Sequence, residues 1–236
     1  MRMHAVPGGI FRQTVYFNKT EIDRMCEDAL REAKLLPSVP EPIRIERFIE
    51  KQFSCRLVYE DVAAGVLGCT AFERDGRIVL VAVSPALDDG TDAGRRRSRS
   101  TAAHEAGHCL IHPILFIDNT GQLRLPHQVH ENLDFRERRI LCKVQDMNVT
   151  RNRGYDGRWW EYQANRAIGG FLLPKKLVSA AISPFLEKVG KLGIQVLGLN
   201  ARRDAEIHLA GVFDVNPVVA KYRLAEMYPV EDQQSL

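Results

Sequence analysis

The stretch His104-Glu105-Ala106-Gly107-His108 constrains this chain more than any other. Residues four apart on a helix lie on one face, about a turn from each other. In a helical setting His104 and His108 therefore converge and can share one Zn²⁺. Glu105 then points to one side of the ion, not at it. Its carboxylate sits where it can take a proton from a water attacking a carbonyl. The spacing thus carries a mechanism as well as a pattern. Gly107 adds a packing constraint. Inside a helix it costs about 1 kcal/mol relative to Ala, which suits close approach by another element or a substrate better than a core helix with two incidental histidines.

A catalytic zinc usually has three protein ligands and one open position. His112 continues the spacing, but three histidines along a straight helix diverge, so its expected role is packing or support of a ligand. His127, His130, Glu131 and Asp134 lie in an irregular stretch able to fold back. The best candidate is Glu161, on the predicted helix Trp159-Trp-Glu-Tyr-Gln-Ala-Asn-Arg-Ala-Ile-Gly-Gly-Phe-Leu-Leu-Pro174. Asn165, one turn on, can aim its amide oxygen at the free N–H of a ligating histidine and fix its tautomer. Ala164 and Ala167 keep that helix slim. On spacing alone an exposed Glu on an ordinary amphipathic helix is the favoured reading of Glu161, so the third ligand stays open.

The 236 residues are 45% hydrophobic and 27% charged, which supports a real core and argues against disorder or a fibrous chain. Apolar runs such as Ile78 to Val83 are too short to span a bilayer, so no membrane partner is expected. Arg2 is followed by no apolar run, so no secretory signal is expected either. The net charge of +3 is too mild to imply a nucleic-acid partner. Five cysteines, widely spaced and without a CxxC pair, read as reduced thiols, mostly buried.

Thr20 is expected to open a helix, with Asp23 at the capping-box offset and apolar residues at helical spacing to Ala33. A second amphipathic helix carries Ile45, Phe48, Ile49 and Phe53. Strands are expected at 55–60, 65–72 and 78–83, forming a small antiparallel sheet, with a turn at Arg74-Asp-Gly76. Arg95, Arg96, Arg97 and Arg99 form a basic cluster that reads as a solvated face before it reads as a nucleic-acid contact. Helices are expected over 100–111, 158–173 and 175–189, then two more around Asp214-Val-Asn216. Asn216 caps the last, and Pro217 suits its first turn.

Together, Arg99-Ser-Thr-Ala-Ala-His-Glu-Ala-Gly-His-Cys-Leu-Ile-His112 and Glu161-Tyr-Gln-Ala-Asn-Arg-Ala-Ile-Gly-Gly-Phe-Leu-Leu-Pro174 resemble the ImmA/IrrE family of zinc metallopeptidases. Gln163 and Ala167-Ile168 depart from the family's usual residues without touching a proposed ligand. The resemblance spans roughly 41–227 and implies an α+β fold. In it a small antiparallel sheet packs on a helical, zincin-like (gluzincin-like) metallopeptidase core. Residues 1–40 would form an N-terminal helical segment, 41–190 the peptidase domain with an insertion at 118–157, and 191–236 a helix-turn-helix-like region. His104, His108 and Glu161 are then the zinc ligands and Glu105 the general base. The family's better-known members are cytoplasmic and cut helix-turn-helix repressors as switches for mobile elements or stress responses, so a protein substrate of that kind is expected. The competing reading is a non-enzymatic regulator binding protein or DNA. A purely structural zinc is weak, since such sites usually have four ligands rich in Cys, and only Cys109 is near in sequence.

Overall fold

A computed structural model of the chain describes residues 2–5, 13–117, 133–134, 138–144, 158–189 and 194–230. The chain opens with an antiparallel pair, β1 (Arg2–Ala5) and β2 (Gln13–Tyr16). Helix α1 (Lys19–Glu32) starts ahead of Thr20 because Asn18 caps it. The Asn18 side chain accepts from the Glu21 N–H at 2.9 Å, and the Glu21 carboxylate accepts from the Asn18 N–H at 2.9 Å. That exchange satisfies two otherwise orphaned donors, so Asn18 and Glu21 take the places expected for Thr20 and Asp23. Helix α2 (Ile45–Phe53) buries Ile45, Phe48 and Ile49 as its periodicity predicts.

Strands β3 (Arg56–Tyr59), β4 (Val66–Phe72) and β5 (Ile78–Val83) follow. β4 and β5 pair antiparallel across the Arg74-Asp-Gly76 turn, where Gly76 adopts φ +82°. β3 pairs with β5 in parallel, so the sheet is mixed and the expected all-antiparallel sheet is corrected. The reason is topological. β3 and β4 run in opposite directions, and β5 inserts between them, so it must run parallel to one.

Helix α3 (Asp92–Ile111) begins two turns before the predicted Ser100. Thr91 caps it by accepting from the Gly94 N–H at 3.0 Å, and the arginine cluster rides on its first turns. Within 118–157, β6 (Leu133–Asp134) and β7 (Arg139–Lys143) are described, and they extend the sheet beyond β4 to the order β3-β5-β4-β7-β6. The stretch expected as an insertion thus supplies two strands to the central sheet.

Helix α4 (Trp159–Leu172) is followed by α5 (Lys175–Ile182), which stops well short of the predicted Val189. Pro184 cannot donate within a helix. A short turn over Ser183–Phe185 leads instead to β8 (Glu187–Val189), paired antiparallel with β9 (Ile194–Val196). Helices α6 (Leu199–Phe213) and α7 (Pro217–Met227) close the chain. Asp214 between them is left-handed at φ +51°, and Asn216 caps α7 with Pro217 in its first turn, as the sequence predicts.

One contiguous cluster of buried residues runs from Ile22 through Phe48, Phe116 and Phe171 to Phe213 and Leu224. α3 lies at its centre, with the sheet on one side and α4 on the other. Among the described residues no helix is long and apolar enough to cross a membrane.

Candidate metal centre

Two glycines bring the pieces together. At Gly107 an added Cβ would stand 2.8 Å from the Ala167 Cβ and 3.0 Å from the Ala164 Cα. Only a bare backbone on α3 and alanines on α4 allow this approach, which carries Glu161 to the histidines. At Gly68 on β4 an added Cβ would stand 2.5 Å from Glu105 Oε1, so that glycine makes room for the Glu105 carboxylate against the sheet.

His104 Nε2 lies 3.0 Å from His108 Nε2 and 3.1 Å from Glu161 Oε2, and His108 Nε2 lies 3.7 Å from the same oxygen. Two nitrogens and one oxygen thus converge in the interior. His104, Glu105 and His108 are fully buried, and Glu161 is 4% exposed. The tautomers follow from what stands behind each ring. His104 Nδ1 is 3.1 Å from Asn165 Oδ1, an acceptor, so Nδ1 carries the proton and the Nε2 lone pair faces the cluster. His108 Nδ1 is 3.0 Å from His112 Nδ1. When His108 donates there, its Nε2 lone pair also faces the cluster. His112 therefore supports His108, and its ring meets Trp159 edge-on at 5.6 Å.

Burial holds the His108 and His112 imidazoles below their ordinary range, which keeps them neutral. Burial alone would raise the Glu161 carboxyl. The imidazoles of His108 and His104 beside it outweigh burial and hold Glu161 well below the usual carboxylate range. Glu161 Oε1 has no hydrogen-bond partner among the described residues. Three inward-facing donors of metal-binding type and an orphaned buried carboxylate oxygen fit a divalent ion such as zinc.

Glu105 stands outside that trio. Thr70 Oγ1 donates to its Oε2 at 2.6 Å. It groups instead with His104 and Cys142, whose donor atoms lie within 4.8 Å of one another. Cys142 is on β7, directly opposite Gly68 on β4. Burial pushes its thiol up to about 12. Sequence reading missed Thr70, Gly68 and Cys142 because cross-strand register is not written in local spacing. Of the other candidates, His127, His130 and Glu131 lie outside the described residues, as does the side chain of Asp134. Elsewhere on α4, Arg166 pairs with Glu226 of α7 and ties the two helices together.

The arginine cluster is engaged within the fold. Arg95 pairs with Asp214, Arg96 Nε donates to the same carboxylate at 2.9 Å, and Arg99 Nε stands 3.8 Å from it. Arg97 pairs with Asp89 at 3.0 Å.

No protein-family model matches this chain, and no curated protein matches it either.

Proposed function

We propose that this chain is a zinc-dependent endopeptidase of the ImmA/IrrE type, acting on a specific protein. One observation carries the reading: His104, His108 and Glu161 from two helices converge on one buried point while Glu105 is held beside it by a separate donor. Binding alone needs no such base. His104, His108 and Glu161 would hold the ion, with Asn165 and His112 fixing the two rings. Zinc bound there would supply Lewis acidity toward a peptide carbonyl. Glu105 takes a proton from the attacking water at a carboxylate oxygen as the C–O bond forms. It then gives that proton to the leaving amine as the C–N bond breaks.

The substrate class and the cytoplasmic setting come from the resemblance, which points to a helix-turn-helix repressor. The buried site agrees with a narrow substrate, since only a partner with extended binding surface can drive its opening. Purified protein is expected to carry about one zinc per chain, as measured by atomic emission. His104→Ala and His108→Ala lose it. Glu105→Gln keeps it and abolishes cleavage of the cognate repressor. Casein is expected to survive; its rapid zinc-dependent digestion, lost in Glu105→Gln, would instead mark a general peptidase. Zinc-replete protein that cuts no DNA-binding repressor encoded beside it would be read as a non-enzymatic regulator. Loss of metal in Glu105→Gln would overturn the division of roles.

A further inference from the structure

His112 can hold His108 only while its own Nδ1 is an acceptor. The two Nδ1 atoms lie 3.0 Å apart, and one proton must serve that contact. For the His108 Nε2 lone pair to face the cluster, the proton belongs to His108. Burial is the largest influence on the His112 imidazole and keeps it neutral. His112 then carries its single proton on the far nitrogen, Nε2. That N–H is buried, with His112 only 1% exposed, and it has no partner at hydrogen-bond distance among the described residues.

The complement stands on the facing helix. Gln163 is fully buried on α4, one turn beyond Trp159, whose ring meets His112 edge-on at 5.6 Å. Its amide is oriented by the N-terminal hairpin, because Nε2 donates to the Val15 carbonyl on β2 at 2.8 Å. A carbonyl only accepts, so that contact assigns the nitrogen and leaves Oε1 as the free end. Oε1 is buried and also lacks a partner among the described residues. The Gln163 amide already acts on His112, raising its imidazole as an acceptor does, against the larger effect of burial. A buried donor or acceptor left unsatisfied costs about 1–3 kcal/mol, and joining these two removes both costs. Only an amide serves both ends. A carboxylate would lack the donor for Val15, and a lysine the acceptor for His112.

We propose that Gln163 is a positioning residue of the metal centre, its amide oxygen taking the Nε2 proton of His112 so that Nδ1 stays open to His108. The proposal rests on the metal reading given above and extends it outward. The support of His108 then runs through the His112 ring and the Gln163 amide to the Val15 carbonyl. Each step is a donor facing an acceptor, and all three protons point the same way, from the ligand toward the hairpin. Acceptors in series strengthen one another and make the ligating nitrogen more basic. His104 is held differently, by Asn165 directly at 3.1 Å. The β1–β2 hairpin thus anchors one ligand of the pair and not the other.

Zinc affinity and imidazole tautomers test this without any substrate. Gln163→Met keeps the length of the side chain and loses both polar ends. Chelator competition is expected to show zinc held about ten-fold more loosely in it. His112→Asn places an amide oxygen where the ring nitrogen accepts, and that oxygen needs no proton elsewhere to remain an acceptor. In this background Gln163→Met is expected to change zinc affinity by no more than about two-fold. A Gln163 that merely held the hairpin would cost the same in both backgrounds. Long-range ¹H–¹⁵N spectra of the unmutated zinc-loaded protein give an independent reading, with His112 protonated at Nε2 alone. Unchanged zinc affinity in Gln163→Met, equal losses in both backgrounds, or a His112 proton on Nδ1 would each overturn the proposal. Failure of the unmutated protein to bind zinc strikes the metal reading beneath it, so the two failures are distinguishable.

Discussion

A buried carboxylate needs donors, and the Thr70 hydroxyl gives Glu105 one at 2.6 Å. Thr70→Val keeps the side-chain shape and deletes that donor. Leaving a buried acceptor short of a hydrogen bond costs about 1–3 kcal/mol, so the urea midpoint of the variant should fall by a corresponding amount. Thr70→Ser should recover most of the loss, because the hydroxyl returns while only a methyl group is absent. Zinc content should stay unchanged in both, since Thr70 touches no proposed ligand. A Thr70→Val protein as stable as its parent would show that other groups suffice to hold Glu105. At this scale the sequence was most legible where chemistry is local. His104, Glu105 and His108 follow from one helix and its period. Thr70 and Cys142 come from strands whose register with the helix is set by long-range pairing, and nothing in their own neighbours announces it.

Between elements, the contact of α3 with α4 decides whether Glu161 meets the histidines. Gly107→Ala sets two effects against each other. Helix propensity favours the alanine by about 1 kcal/mol. Its methyl, however, would enter space 2.8 Å from the Ala167 Cβ and 3.0 Å from the Ala164 Cα, and a backbone atom cannot rotate away. Overpacking of this kind costs typically about 1–3 kcal/mol. The steric cost is expected to win, separating the helices and weakening zinc. A chelator competition should therefore show looser zinc in Gly107→Ala, and zinc held as tightly as in the parent would mean that α4 can shift without displacing Glu161. Sequence pattern anticipated this pair through Gly107, Ala164 and Ala167, and it anticipated α2 and α7 through period and cap. It missed the start of α3, because Arg95, Arg96, Arg97 and Arg99 give no apolar period. It ran α5 on past Pro184. It also made the sheet all antiparallel, because alternation reports faces and not strand direction.

Across the whole molecule, the buried cluster that begins at Ile22 also includes Leu209, Phe213 and Leu224. The last two helices are thus part of the core that holds the site, and Asp214 fastens them to the first turns of α3 through Arg95, Arg96 and Arg99. Unfolding by urea is expected to be a single event, with circular dichroism and the fluorescence of Trp159 and Trp160 superimposing. Asp214→Asn keeps a residue that tolerates the left-handed backbone but removes the charge. It should lower both transitions together, by about 1–2 kcal/mol for hydrogen bonds to charged groups that are partly solvated. A fluorescence change that precedes the circular dichroism change would show that the terminal helices detach on their own. Within this single core, α3 is the extreme case. From Ser98 to Cys109 every residue except Arg99 is buried. Elsewhere a helix can exchange its outer residues one at a time without consequence. This one has no outer side over that span, so a change at any of its small residues must be matched by a change in the sheet or in α4. Substitution over that span is therefore expected to be tolerated only in matched sets, unlike substitution on helices that keep an exposed face.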